Sequence, residues 1–374
     1  MILALFFTRG VSLKIWHETG LFYREKQLYE SHLKNGDLKK IYWLTYGRND
    51  FEISQQLKAK GVLHPSIEII SMPRMFRTRT GKLIYSFLLP IIQRTYLKRA
   101  DVYKTNQMDG SWSAILSKLL YGKFLIVRTG YTLSSFGKNL KNSKLRIWIY
   151  QLIEWFAYKF ADRAVVASKK DYNYVIDNYK LSADKLTILP NYVDTDSFKP
   201  LQRDRYEKRI VCVGRLNRQK NLFNLISALA KTEFSLDVFG QGELRDALEK
   251  HAINAGSMVR FKGCVPNSEL PMVLNRYKYY IIPSFFEGMP KTLLEAMACG
   301  CICIGSNVDG INEVIRRDFN GYLSNGTDDE EIYQALNTAI KDDNELIVKN
   351  AVETITKRFS LKAITQLDKT VLFG

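Results

Sequence analysis

Along two stretches of the chain a short β-rich run is followed by a longer helical pattern, over and over, and few folds accommodate that rhythm. Over residues 1–190 the runs fall at 2–7, 40–45, 67–71, 101–105, 124–128 and 164–168, with helical periodicity between them. Strands separated by helices pair in parallel through crossovers, and a parallel sheet needs cover on both faces. The rhythm pauses at PNYVDTDSFKP, residues 190–200, where two prolines bracket short polar residues. It restarts with strands at 209–213, 235–239, 259–262, 279–283 and 301–305. Helices fall at about 221–230, 243–255, after Asn267 and at 290–299. The expectation is therefore two α/β domains, 1–190 and 205–358, with a linker at 191–204 and a terminal helix at 359–374 packing back towards the first domain. At 374 residues the chain has length enough for two ordinary cores. Two such domains facing each other leave a cleft at the carboxyl ends of their strands, where open α/β sheets take ligands.

The apolar runs at 2–7 and 83–92 are far shorter than the roughly 20 residues of a spanning helix, and the second is broken by Tyr85, Ser86 and Pro90. Nothing is expected to cross a membrane, and the protein is expected in the cytoplasm. Hydrophobic residues make up 46% and charged residues 25%, the balance of a folded globular chain. All five cysteines lie in the second half, and Cys299, Cys301 and Cys303 alternate as on a strand. That spacing suits small buried residues better than a metal knuckle or a disulfide. The four histidines, His17, His32, His64 and His251, lack ligand-like spacing; His17, near the first strand, is the one to test.

Charge is distributed unevenly. Residues 1–190 hold 31 Lys and Arg against 14 Asp and Glu, a net of +17, whereas residues 191–374 hold 24 of each. One domain is thus built to meet something anionic: nucleic acid, an anionic membrane surface or an acidic substrate. Basic residues mix with aromatics and leucines in SMPRMFRTRTGKLIYSFLLPIIQRTYLKR (71–99) and in KNLKNSKLRIWIYQLIEWFAYKF (138–160), a composition shared with interfacial amphipathic helices and with ordinary helices whose apolar faces enter a core. No helix-turn-helix, zinc-finger or RNA-recognition signature supports nucleic acid. The expected site of action is the inner face of the cell membrane, as a peripheral protein.

Two motifs in the second half carry chemistry. VGRLNRQKN (213–221) ends a strand and opens a helix, with Gly214 at the turn and Arg215 and Lys220 placed to converge on a diphosphate. PSFFEGMPKTLLEAMACG (283–300) puts Glu287 in a loop, Pro290 at the first helical turn and Glu295 two turns on, within an apolar pattern that includes Leu294. The amides of Gly288, Met289, Lys291 and Thr292 are expected near the helix start, where partial positive charge favours an anion. Carboxylates are acceptor-only and hold vicinal hydroxyls, so Glu287 suits a sugar and Glu295 a ribose.

Together with VFGQGELRDAL, VRFKGCVPNSEL and SNVDGINEVI, and with the junction PNYVDTDSFKP, these motifs resemble family 4 of the retaining glycosyltransferases, which have the GT-B fold of two Rossmann-like α/β domains facing each other across a cleft. The resemblance covers about residues 186–325. It implies an EC 2.4 hexosyltransferase-type enzyme of polysaccharide or lipopolysaccharide biosynthesis that uses a nucleoside-diphosphate sugar as co-substrate and needs no cofactor or metal. It implies a lipid-linked or glycan acceptor, Arg215 and Lys220 on the donor diphosphate, and Glu287 and Glu295 as a spaced carboxylate pair. Gly288, Met289 and Pro290 would supply backbone contacts, Gly214 and Leu294 would also bind the donor, and the segment around Gly263 to Val265 would lie beside the base. Asp194-Thr195-Asp196 imitates the metal-binding Asp-x-Asp of the other main glycosyltransferase fold, but its linker position favours a structural role.

The first half resembles the family only in rhythm. Gly10, in Thr8-Arg9-Gly10, stands where family members often have a glycine-rich turn, and VRTGYT (127–132) lacks the histidine many members carry there. Arg128 and Tyr131 are the acceptor-side candidates that remain. Two other functions fit some of these features: a nucleotide-sugar epimerase of the same fold, and a basic nucleic-acid-binding protein.

Overall fold

The computed structural model describes residues 1–18, 20–139 and 142–373. Thr19, Leu140, Lys141 and Gly374 lie outside the described residues, the last three within segments singled out above. The chain divides into two compact units, one of residues Met1–Leu189 together with the chain from Thr365 onward, the other Pro190–Ile364.

The first unit is built on seven parallel strands: β1 (Ile2–Phe6), β2 (Lys40–Leu44), β3 (Ile67–Ile70), β4 (Val102–Thr105), β5 (Phe124–Thr129), β6 (Arg163–Val166) and β7 (Leu186–Ile188). Their order is β3-β2-β1-β4-β5-β6-β7. Strands such as Ile-Leu-Ala-Leu-Phe in β1 are apolar at consecutive positions because helices cover both faces. Beside β1 and β2 an aromatic cluster fills the core, with Phe7 stacked on Trp16 at 4.0 Å and Trp16 edge-on to Trp43 at 5.4 Å.

The second unit has β8 (Tyr206–Val213), β9 (Ser235–Phe239), β10 (Val259–Gly263), β11 (Tyr277–Ile282), β12 (Ile302–Ser306) and β13 (Tyr322–Ser324), again all parallel, in the order β10-β9-β8-β11-β12-β13. Ile210, Leu225, Leu236, Ile281 and Leu336 are among the residues of its core. The sequence pattern misses β7 and β13 because each is three residues at a sheet edge, too short to show a period.

The segment expected as a linker is part of the second unit. Val193 donates its amide to Phe359 O at 2.9 Å and accepts from Leu361 N at 2.8 Å, and Leu201 N donates to Asn275 Oδ1 at 2.8 Å. Arg205 donates to the carbonyls of Cys299, Gly300 and Tyr277 at 2.7–3.0 Å. Polar, proline-bracketed residues read as a loop, yet their backbone groups are tied into the fold.

The terminal helix, Leu361–Phe373, contributes Asp368 to a buried ionic cluster of the first unit. Its carboxylate takes Lys104 Nζ at 2.6 Å and His32 Nε2 at 3.1 Å, and His32 Nδ1 lies 3.1 Å from Asp37. Burial alone pushes the Asp368 carboxyl up, but Lys104 and His32 hold it at about 2. Burial pulls Lys104 down while Asp368 pulls it up; two donors converging on one buried carboxylate mark the Lys104–Asp368 pair as ionised.

Four cysteines are buried and free, as their spacing predicts, and burial pushes the thiols of Cys212 to about 12 and Cys301 to about 11. Cys264 departs from that expectation: it lies exposed in the turn after β10.

Candidate active site

In each sheet the chain starts at a central strand, builds one wing, and returns to build the other. The switch falls between β1 and β4 in the first unit and between β8 and β11 in the second, and the loops that diverge there at the carboxyl ends leave room for a ligand. Gly214, Arg215 and Lys220 follow β8; Glu287, Gly288, Met289 and Pro290 follow β11. The candidate donor residues therefore come from the two loops that flank the switch point of the second unit.

There Lys220 Nζ meets Glu287 Oε1 at 2.6 Å, with both side chains largely buried. Ser284 Oγ donates to the same oxygen at 2.7 Å, and Gln219 Nε2 reaches Phe286 O at 2.9 Å and Glu287 Oε2 at 3.4 Å. The loops are tied together by their backbones as well, since Phe285 N donates to Gln219 O at 2.9 Å. A side chain on Gly214 would begin 3.1 Å from Lys220 Cε, so the glycine gives the lysine its path along the turn. Arg215 is exposed beside it.

Behind this pair the helix Lys291–Ala298 begins. Pro290 is the residue before its first turn, one step earlier than expected, and its carbonyl accepts Leu293 N at 3.2 Å. Glu295 is buried and accepts from Asn267 Nδ2 at 3.2 Å, which brings it to the loop after β10 that also holds Val265. Leu294, expected to bind the donor, is instead fully buried core with no surface left for a ligand, and Met289 O accepts from Asn191 Nδ2 at 2.7 Å. The loop after β12 closes on the site from the other side: Gly310 has φ +81°, and a Cβ there would sit 2.1 Å from Gly288 O and 2.9 Å from Glu287 O. Two cavities of this unit, of about 540 and 650 Å³, open at the opposite, amino-terminal ends of the strands and hold none of these residues.

In the first unit Gly10 lies in the turn after β1 with φ +77°, and Val11 N donates to Thr8 O across it. Arg128, on β5, is buried; its Nη1 is 3.4 Å from Asn106 O and 3.7 Å from Glu25 Oε2, so its charge is taken up inside the unit. Tyr131 is exposed with its ring 4.7 Å from Phe136. His17 lies exposed at the end of the helix Leu13–Glu18. In the second unit Asp194 accepts from Asp196 N at 3.1 Å and Ser197 Oγ at 2.8 Å, the bonds of a turn-forming aspartate.

Two family models together span most of the chain: "Glycosyl transferases group 1" matches residues 193–354 and "Glycosyltransferase Family 4" matches residues 41–197. The chain belongs to the group 1, family 4 glycosyltransferases. It is a transferase of the EC 2.4 type. The chain is 25% identical over 346 residues to the UDP-Gal:alpha-D-GlcNAc-diphosphoundecaprenol alpha-1,3-galactosyltransferase of Escherichia coli, covering 85% of this chain and 87% of that one. It is 29% identical over 276 residues to the N-acetylgalactosamine-N,N'-diacetylbacillosaminyl-diphospho-undecaprenol 4-alpha-N-acetylgalactosaminyltransferase of Campylobacter jejuni, covering 71% and 74%. Among solved structures, Anabaena Alr3699/HepE in complex with UDP and glucose matches at a TM-score of 0.76 and 17% identity over 100% and 99% of the two chains. That likeness shows the fold, which is GT-B.

Sequence reasoning on this glycosyltransferase missed four polar side chains of the site: Gln219, Ser284 and Asn267 on its carboxylates, and Asn191 on the Met289 carbonyl. All four stand inside the motifs or at their edges. Gln219, Asn267 and Asn191 act through contacts with another segment, which spacing along one segment does not display, whereas Ser284 stands three residues before Glu287 in the same motif.

Proposed function

We propose that the enzyme transfers a sugar, with retention of anomeric configuration, from a nucleoside-diphosphate sugar to a lipid-linked or surface-polysaccharide acceptor, without a metal ion, at the inner face of the cell membrane. The observation that carries this reading is the Lys220–Glu287 contact at the switch point of the second unit. An ammonium has three donors, so Lys220 can hold Glu287 and still present two to phosphate oxygens. Charge accumulates on the diphosphate as the glycosyl bond breaks, and Arg215 and Lys220 stabilise it there. Glu287, fixed by Lys220 and Ser284, accepts from hydroxyls of the transferred sugar. Glu295 and Asn267 face the ribose and base.

The acceptor class is supported by the two relatives named for diphospho-undecaprenol-linked substrates. Membrane contact is supported by the first unit, which holds the whole net charge of +17. Its helices Arg79–Ile92 and Lys144–Phe160 both pack on the helix Ser111–Tyr121, and they expose Ile84, Phe87, Ile91, Trp148, Trp155 and Phe156. No helix among the described residues is long and apolar enough to cross a membrane. Sedimentation with anionic vesicles is expected to carry the enzyme down and to fail with neutral ones.

The reaction is tested by incubating the enzyme with UDP- and GDP-sugars and a lipid-linked acceptor in the presence of a chelator, then reading the product anomer by NMR. The expected result is transfer with the donor's anomeric configuration. An inverted anomer, an isomerised nucleotide sugar with no transfer, or no turnover of any donor would each overturn the proposal.

A further inference from the structure

We propose that a basic cavity in the first unit binds the phosphates of a lipid diphosphate, whose hydrocarbon chain lies along the exposed face of the helix Arg79–Ile92; this rests on the lipid-linked acceptor proposed above. The cavity has a volume of about 440 Å³, the size range of small-ligand pockets, and opens at the carboxyl ends of β1, β2 and β3. Four cations line it: Lys14, Arg48, Arg77 and Lys82.

One carboxylate lines it as well, Asp50, and it is already committed. Asp50 is buried, with Oδ2 accepting from Leu13 N at 2.8 Å and Oδ1 3.4 Å from Lys14 N. Of the four cations, Lys14 has a carboxylate within reach on its exposed side, Glu18 at 3.6 Å. Lys82 Nζ lies 3.5 Å from Gly10 O, a neutral and long contact, which sets the cavity against the turn after β1. The cavity therefore carries an excess of positive charge and takes an anion with several oxygens, for which clustered guanidinium and ammonium groups are suited.

The residues after Lys82 on its helix distinguish a lipid anion from a free one. Leu83, Phe87 and Ile91 form one i, i+4 row, and Ile84, Leu88 and Ile92 form the next; all six are exposed. The opposite face, with Tyr85, Ser86 and Leu89, is buried, and Ser86 Oγ accepts from Trp112 Nε1 at 2.9 Å. The two rows run about 12 Å along the helix, starting one residue past the cavity's own lysine. A cationic pocket continuous with an apolar stripe is complementary to a molecule with an anionic head and a hydrocarbon chain. A free phosphate would make no use of the stripe.

The test measures binding of farnesyl diphosphate, inorganic pyrophosphate and farnesol to the full-length enzyme by calorimetry, with UDP and GDP titrated in parallel. Farnesyl diphosphate is expected to bind at least about tenfold tighter than pyrophosphate or farnesol. Arg77→Gln with Lys82→Gln is expected to weaken it about tenfold or more, the order set by losing charge-assisted hydrogen bonds, and to leave nucleotide binding unchanged. Phe87→Ser should weaken farnesyl diphosphate and leave pyrophosphate alone. Should the double variant fold poorly, Arg48→Gln, at an exposed position, reads the same loss. Unchanged farnesyl diphosphate affinity in variants that still bind nucleotide would overturn the proposal, as would pyrophosphate binding as tightly as farnesyl diphosphate, which would mark a free-phosphate site. Farnesyl diphosphate binding without UDP or GDP binding would uphold the cavity and count against the donor reading instead.

Discussion

The two units share a parallel, doubly wound topology and differ in where they place their ionic contacts. At its switch point the second unit holds Lys220 against Glu287, with Ser284 and Gln219 around them. At the corresponding place the first unit has Arg9 paired with Asp109 at 3.2 Å, with 37% and 34% of the side chains exposed, while the Lys104–Asp368–His32 cluster is buried and ties the terminal helix to the strands. The same division holds for other carboxylates of the first unit. Glu154 accepts from Ser134 and Tyr179, and Asp171 from Thr132 and Ser168, all inside the unit and near the loop after β5. Topology thus places a site without supplying its chemistry. In the first unit buried charge builds structure; in the second it does so at Asp237, and it also brings Lys220 and Glu287 together at the switch point.

That contrast yields predictions in descending size. Removing the carboxylate of the structural cluster, Asp368→Ala, strands Lys104 as a buried unpaired charge and should cost about 3–5 kcal/mol in denaturant unfolding. Loss of activity at full stability would break the assignment of this cluster to structure. Lys220→Ala and Glu287→Gln should act on transfer instead, lowering it about 10²–10³-fold in steady-state assays of protein that remains folded, as for loss of a group that stabilises transition-state charge.

Acid separates the units more gently. The Asp368 carboxyl sits at about 2 when folded, below its ordinary value near 3.8, so the ionised form is favoured by folding. Its contribution is fully present above about pH 4 and is lost as pH falls towards 2. It should amount to roughly 2 kcal/mol, read as a drop in unfolding free energy that Asp368→Asn abolishes. Smallest is Gly310→Ala, whose Cβ would press on Gly288 O and Glu287 O. Donor affinity should fall about tenfold while acceptor binding is unchanged, an effect on the order of 1.4 kcal/mol.

Legibility followed the same division. The second unit's candidate donor residues lie within contiguous motifs, because a strand end, a turn and a helix start put Gly214, Arg215 and Lys220, or Glu287 and Glu295, within a few residues of each other. The strands were legible because parallel strands buried on both faces are continuous apolar runs. The asparagines that brace the site were not, because Asn267 reaches the Glu295 carboxylate and Asn191 reaches the Met289 carbonyl only through the fold. In the first unit Arg128 reads as a strand-end cation open to a ligand, yet Glu25, over a hundred residues away, takes up its charge. His32 carried no signal, since its partner Asp368 becomes a neighbour only when the terminal helix docks. The basic composition of residues 71–99 was visible in sequence; that six of its apolar side chains lie outward beside a cationic cavity was not.

That the loops after β8 and β11 form a nucleoside-diphosphate sugar site is tested most directly by titration calorimetry of UDP, GDP and their sugar conjugates against the wild type and Lys220→Ala. One nucleotide series should bind the wild type and be weakened at least about tenfold in Lys220→Ala, with Asp368→Asn binding as the wild type does wherever it is folded. Equal affinity in the wild type and Lys220→Ala, or no binding by any nucleotide, would contradict it.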